Sequence, residues 1–397
     1  MSTPEQTPFP LELADRCVKC GLCLPHCPTY GLAAVEGESP RGRIALLQGL
    51  ATGRLDAHPG LVEHLDRCLG CRACETACPA DVPYGELIDA GRALLVQRGA
   101  RATPLRRTLA ALLRRPRLFA FAVRLIRLPG ARRVARGLGN LPRRAAELLP
   151  ADARSPRWPA ATAPATRGAV QLFVGCVGRA VDGRALEDVR HALEAAGYAV
   201  EIPRGQGCCG AIDLHAGRPA LAAHSARRNL AAFAGPAPVV ACASGCAAAL
   251  LEYARVAGAE GAGLARRVVE PAELLAEAEL PLRPGPYRDI ALHVPCTQRH
   301  VTGGADATRR LLARLPGVRV RELPPGCCGA AGENFLSHPG MADALVAPLV
   351  AQLRSSPPGA VVTSNIGCAL HLGAALRRAG LDLPVLHPAS LVAAALE

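Results

Sequence analysis

Apolar residues recur along the chain with two different periods, and the change falls near residue 168. In residues 40–53, PRGRIALLQGLATG, Ile44, Leu46, Leu47 and Leu50 stand at the spacing that gathers one face of a helix. Residues 84–99, YGELIDAGRALLVQRG, repeat that spacing. Past residue 168 the apolar runs GAVQLFVG, APVVACA, RDIALHV and GAVVTS read as strands separated by helical stretches, and such alternation predicts a parallel α/β arrangement.

A third pattern lies between. Leu105, Leu109, Leu112 and Leu113 line one helical face, with Arg106, Arg107, Arg114 and Arg115 beside them. Thr103 before Pro104 predicts a helix start, while Pro116 and the pair Pro129-Gly130 predict breaks. Residues 154–168, RSPRWPAATAPATRG, predict a flexible end to this segment.

The α/β region is an internal repeat. Cys176 and Cys296 are 120 residues apart, Cys208 and Cys327 are 119 apart, and Cys246 and Cys368 are 122 apart. Each unit runs strand, Cys, helix, short strand, GCCGA, helix, strand, Cys, helix. Two similar lobes related by a pseudo-twofold axis are expected, at 168–285 and 286–397. They follow a helical unit at 1–100 and a basic helical linker at 101–165.

The helical unit carries its own repeat. CVKCGLCLPHCP, residues 17–28, and CLGCRACETACP, residues 68–79, share one spacing of four cysteines and a proline. Disulfides between such near neighbours would close tiny strained rings, so a metal is the better explanation. The spacing is the bacterial 4Fe-4S ferredoxin pattern, in which three close thiolates hold one cluster and the fourth crosses to the other. A tight loop reaches only three corners of a cubane. Cys17, Cys20, Cys23 and Cys78 are therefore assigned to one cluster, and Cys27, Cys68, Cys71 and Cys74 to a second. Zinc also uses C-x2-C pairs, but three evenly spaced thiols followed by Cys-Pro, twice over, favour iron–sulfur. The fold class is α+β multidomain: an α-helical ferredoxin-like dicluster domain followed by two tandem α/β lobes.

Each lobe offers four further thiols. Neighbouring residues of an extended strand point to opposite sides, so Cys208-Cys209 and Cys327-Cys328 need a turn, which Gly210 and Gly329 allow. Cys176, Cys208, Cys209 and Cys246 form a candidate third cluster site, and Cys296, Cys327, Cys328 and Cys368 a candidate fourth, against the alternative of buried small hydrophobes. Cys242 reads as core. His215, His293, His300, His338 and His371 lie near these loops, where they could tune a cluster, relay protons or simply cap.

Composition narrows the setting. Seventeen cysteines with no basic start and apolar stretch of a secretory leader suit thiols that bind metal in a reducing, cytoplasmic compartment. The longest apolar run, residues 237–251, falls short of the roughly 20 residues that span a bilayer. The net charge of +13 is local: Arg101 to Pro150 holds thirteen arginines and one acid, Glu147. Such a segment suits peripheral contact with the cytoplasmic face of the inner membrane, an acidic partner, or a merely solvated face. Its aromatics, Phe119 and Phe121, and the lack of a recognisable module argue against nucleic acid. No G-x-G-x-x-G, Walker motif or Ser-His-Asp set marks a nucleotide, flavin or hydrolytic site. Such a chain passes on electrons that another subunit collects.

Two ferredoxin motifs, then GCCGAIDLH and GCCGAAGENFLSHP in tandem, closed by ASGC and TSNIGC, make a specific order. With the flanking SPRGRIALLQG, HLDRCLGCRACETACP and HVPCTQRH, the whole chain resembles the iron–sulfur subunits of bacterial glycolate oxidase. The wider CCG-domain family includes the cysteine-rich subunit of heterodisulfide reductase, the lactate-utilisation iron–sulfur protein and the iron–sulfur subunit of anaerobic glycerol-3-phosphate dehydrogenase. The resemblance implies an electron-transfer subunit in a complex whose FAD-containing subunits oxidise glycolate to glyoxylate, and D-lactate in some members. This chain would then carry no substrate-oxidising site and would deliver electrons to a quinone or similar membrane acceptor. A D-lactate or glycerol-3-phosphate dehydrogenase subunit, or a disulfide or quinone reductase, is the alternative. The heterodisulfide reductase pattern ends in C-x2-C, whereas here the second unit ends in Cys368 alone and the first has Cys242 and Cys246 four apart.

Overall fold

The computed structural model describes residues 9–100, 104–128, 130–158 and 165–396. In the N-terminal part, helices Pro40–Ala51, Pro59–Asp66 and Tyr84–Gln97 bury Ile44, Leu47, Leu50, Leu61, Leu65, Leu87, Ile88 and Leu95 against one another. Ser39 starts the first of these, its hydroxyl accepting from the Gly42 amide with Pro40 at the first helical position. Leu46 sits at the margin of the core. The inner face also takes Arg43, whose guanidinium reaches Glu38 at 2.6 Å and the Glu38 and His64 carbonyls at 2.6 and 2.7 Å. A fully paired cation satisfies its donors, so it can stand among apolar neighbours.

The α/β region forms two four-stranded parallel sheets. The first has strands β1 (Ala169–Phe173), β2 (Ala199–Glu201), β3 (Val239–Ala241) and β4 (Val268–Val269) in the order β2-β1-β3-β4. The second has β5 (Asp289–Leu292), β6 (Arg319–Glu322), β7 (Ala360–Val362) and β8 (Val385–Leu386) in the order β6-β5-β7-β8. Register corresponds as well: Leu172 pairs with Val240, and Leu292 with Val362. The edge strands β4 and β8 are only two residues long, too short for a sequence signal.

Each lobe has an apolar cluster of its own, around Phe233 and Leu250 in lobe one and around Leu353 and Leu372 in lobe two, and the lobes share a further one. Helix Pro388–Leu396, at the end of lobe two, packs on Gly183–Ala195 of lobe one, while Pro271–Ala276 of lobe one packs on Ala305–Ala313 of lobe two. One buried apolar cluster therefore runs from Val170, Leu172 and Leu186 to Leu292, Leu311 and Val392. Each fully buried leucine contributes roughly 1.5–3 kcal/mol. The reciprocal exchange makes the two sheets one body.

The basic segment folds into helices Pro104–Leu113, Pro116–Ile126, Ala131–Gly137 and Asn140–Leu148. Thr103 and Pro129 lie outside the described residues. Arg106, expected beside the apolar face, is buried between Glu333 and Asp66. Arg114 grips Asp213 at 2.7 and 2.8 Å, and Arg144 grips Asp343 at 2.8 and 2.9 Å. Part of the positive charge thus straps the linker to its own chain. The stretch expected to be flexible begins pinned, because Arg154 pairs with Glu187 at 2.5 Å and bridges to Asp182; residues 159–164 lie outside the description.

Candidate metal centres

The two ferredoxin-type loops wind alike. Lys19 and Gly21 flank Cys20 with φ of 57° and 87°, and Gly70 and Arg72 flank Cys71 with φ of 61° each. Left-handed backbone on both sides of the middle cysteine curls each loop around its thiols, at a cost for the non-glycine residues that the surrounding contacts offset. Arg92 fixes the second loop by donating to the Leu65, Asp66 and Cys68 carbonyls at 2.9, 3.3 and 2.7 Å.

Cys17, Cys20, Cys23 and Cys78 line one cavity of about 30 Å³. Cys27, Cys68, Cys71 and Cys74 line another of about 20 Å³, with Arg43 and Tyr84 in its wall. The Tyr84 hydroxyl donates to Cys68 Sγ at 3.6 Å. Burial pushes the Cys74 thiol up, and neighbouring thiols push it further. All seventeen cysteines are free thiols. Four thiols gathered around each small cavity, with no disulfide among them, are a donor set that suits iron.

In the lobes the cysteines sit at the carboxyl ends of the parallel strands. Cys176 and Cys296 follow β1 and β5, the Cys-Cys pairs follow β2 and β6, and Cys246 and Cys368 lie in the first turn of helices Ser244–Leu251 and Ile366–Arg378. The turn after each pair is left-handed, with φ of 90° at Gly210 and 79° at Gly329. A Cβ at Gly329 would meet the Ala342 carbonyl oxygen at 2.5 Å. The four thiols of lobe one interact in sequence, Cys176 to Cys208 to Cys209 to Cys246, with 3.7 Å between the first two sulfurs. Lobe two repeats the chain through Cys296, Cys327, Cys328 and Cys368, with 2.8 Å between the last two. All eight line one cavity of about 270 Å³ between the lobes, together with Cys68 and Cys242. Cys242 also packs against the shared core, and its carbonyl pairs with His387 Nε2 at 3.0 Å.

The dicluster half meets this cavity through its second loop. Burial raises the Cys71 thiol, and the next largest influence on it is Cys296; Cys327 in turn feels Cys71. Around this junction Thr76 pairs with His300 at 2.8 Å, Asp89 with His215 at 2.8 Å, and Arg72 with Glu252. His371 bonds the Ala342 carbonyl at 3.1 Å and stacks on Phe335, and His338 bonds Ser337. Burial lowers His293 to about 4. Tyr84, Arg43 and Arg92 escape sequence reasoning; the one available signal is a polar residue on an otherwise apolar helical face.

Residues 13–82 match the 4Fe-4S dicluster domain, and residues 170–251 and 290–373 match the cysteine-rich CCG domain. The chain is 34% identical to the glycolate oxidase iron-sulfur subunit of Escherichia coli K12 over 91% of its own length and 90% of that protein. It is 29% identical to the probable glycolate oxidase iron-sulfur subunit of Bacillus subtilis over 92% and 90%. It is 26% identical to lactate utilization protein A of Oceanobacillus iheyensis over 55% and 93%. A 4Fe-4S dicluster domain, a duplicated cysteine-rich domain and similarity along nine-tenths of both chains mean that this chain belongs to the family of glycolate oxidase iron–sulfur subunits.

Proposed function

We propose that the chain relays electrons within a glycolate-oxidising complex, from FAD-containing partner subunits to a quinone or similar membrane acceptor, with D-lactate a further substrate of the assembly. Cys17, Cys20, Cys23 and Cys78 would hold one 4Fe-4S cluster, Cys27, Cys68, Cys71 and Cys74 another, and the two lobe sets further clusters. Bound clusters supply one-electron steps, which divide the two electrons that a flavin takes from an α-hydroxy acid. The observation that carries this reading is that Cys68, with Leu69 and Gly70 of the second ferredoxin-type loop, lines the same cavity as all eight lobe cysteines, which joins the dicluster half to the lobes. Around that junction the residues do three things: Tyr84 donates to a ligand sulfur, Arg43 places positive charge beside Cys27 and Cys68, and burial excludes water.

The test is anaerobic copurification of the full chain with its flavin-containing subunits. Clusters that reduce on adding glycolate, in the complex and not in the isolated chain, are expected. A chain that takes electrons from glycolate without a flavoprotein would overturn the reading. A second reading, in which the chain itself reduces a disulfide or quinone, is favoured by both lobe sets opening on one cavity. The isolated, dithionite-reduced chain should then turn over such an acceptor.

The membrane contact is assigned to helix Pro116–Ile126. Its inner face packs Phe119 and Val123 against Ala180 and Val181. Its outer face exposes Leu118, Phe121 and Leu125 at 48, 57 and 46%, with Leu128 just beyond at 52% and Arg117, Arg124 and Arg127 alongside. Apolar groups ringed by arginine suit the interface of an anionic bilayer, here on the cytoplasmic face. No helix among the described residues is long and apolar enough to cross a membrane.

A further inference from the structure

The two thiol sets match in order, yet their surroundings differ at one pair of positions. Three residues before its first cysteine, lobe one has Phe173, buried and packed on Phe233 with ring centroids 5.7 Å apart. Lobe two has His293 there, equally buried. Beside it on the neighbouring strand, lobe one has Ala241, paired with Phe173, and lobe two has Thr363, the residue after the Leu292–Val362 pair. The second change answers the first, because Thr363 Oγ1 lies 3.1 Å from His293 Nδ1. The ring is thereby oriented, and its other nitrogen, Nε2, is buried without a hydrogen-bond partner among the described residues. A ring nitrogen of His293 and the sulfurs of Cys328 and Cys368 all lie within 4.8 Å of one another.

A buried imidazole nitrogen without a partner is rare in folded proteins, because the lost hydrogen bond to water is not replaced. Here it stands beside two thiols of a candidate iron site. The arrangement, one nitrogen held by a hydroxyl and the other buried without a partner in a ring beside two sulfurs, is how a protein prepares a histidine for a metal.

We propose that His293 Nε2 is a nitrogen ligand of the iron held by Cys296, Cys327, Cys328 and Cys368, with Thr363 as the residue that positions the ring. Lobe one, with Phe173 and Ala241 in those places, has a sulfur-only set. The proposal rests on the reading that lobe two carries a cluster. It makes the two lobe centres chemically unequal, since each has four thiolates and only one adds a neutral imidazole to its ligand set.

The test uses the full chain, loaded with iron and sulfide under anaerobic conditions and partly reduced. Iron content and pulsed EPR for strongly coupled nitrogen are measured on the wild type, C328S, H293F and T363V. C328S should lose about four irons, as one cluster requires; full retention would overturn the lobe-two cluster and the ligand assignment with it. Given that loss, the wild type should show a directly coordinated nitrogen that 15N-histidine labelling shifts. Absence of that signal overturns the ligand assignment alone. H293F should abolish it, and an unchanged signal would overturn the proposal. If H293F does not load, T363V decides: a shifted nitrogen coupling at unchanged iron content supports the proposal, and an identical coupling overturns it.

Discussion

The two lobes share a strand order, a chain of four thiols and a left-handed glycine after the cysteine pair, but they meet the dicluster domain in different ways. Lobe one meets it through charge: Asp89 with His215 and Arg255, and Arg72 with Glu252. Gly217 also lies so close to helix Tyr84–Gln97 that a Cβ there would stand 2.3 Å from the Arg92 carbonyl oxygen. Lobe two meets it directly through a neutral pair, Thr76 with His300, while Arg106 of the linker bridges Asp66 to Glu333. Duplication conserved the scaffold that gathers sulfur. Divergence fell on the surfaces and on the Phe173 and His293 positions, so lobe one mainly clamps the dicluster domain through direct charge pairs and lobe two meets it through a neutral pair.

The sharpest way to break this comparison is at the shared turns. Gly329→Ala places a Cβ against backbone at 2.5 Å, whereas Gly210→Ala meets its nearest backbone atom at 3.2 Å. Both carry the strain of left-handed backbone, roughly 1–3 kcal/mol, but only the former adds overpacking of roughly 1–3 kcal/mol. Denaturant unfolding should therefore rank Gly329→Ala well below Gly210→Ala. Equal losses would mean the two turns are packed alike.

The docking surfaces come next. Asp89→Asn leaves Arg255 and His215 without their carboxylate and should cost about 1–3 kcal/mol. Thr76→Val removes a neutral hydrogen bond and should cost about 0.5–1.5 kcal/mol. Proteolysis of the junction between the dicluster domain and the lobes would report both. A larger loss for Thr76→Val would reverse the assignment of the clamp to lobe one.

A pH dependence sharpens the same contrast. Burial works to raise the Asp89 carboxyl, but His215, Arg92 and Arg255 together outweigh it and hold it below its ordinary value. A carboxyl lowered by folding contributes stability that is fully present above its unfolded pKa, about 3.9, and is lost as pH falls through the lower folded value. Unfolding free energy should therefore decline below about pH 4 in the wild type and less steeply in Asp89→Asn. Parallel curves would assign the acid loss to other carboxylates.

The smallest effect on stability belongs to the outer face of helix Pro116–Ile126. Replacing Leu118, Phe121 and Leu125 together by Ser should change unfolding by no more than about 0.5 kcal/mol per site. The same variant should lose flotation with anionic vesicles. Flotation equal to wild type would remove this helix from the membrane contact.

Sequence alone determined what depends on short spacing. Two C-x2-C-x2-C-x3-C-P runs, a tandem repeat of 119 to 122 residues, the glycine after each Cys-Cys pair and the period of the helices are local facts, because reach and backbone conformation depend on near neighbours. Tertiary structure decided what depends on surfaces meeting across the chain: the exchanged helices that give the two lobes a shared cluster, the arginines drawn inward to Asp66, Asp213, Glu333 and Asp343, and the placement of the Cys68 loop on the lobe cavity. His293 shows the division most clearly. Its spacing from Cys296 was plain in HVPC, but its nearness to Cys328 and Cys368 exists only once β5 and β7 lie side by side. Pairing of distant strands sets such distances, and no local pattern encodes which side chains the far strand will bring.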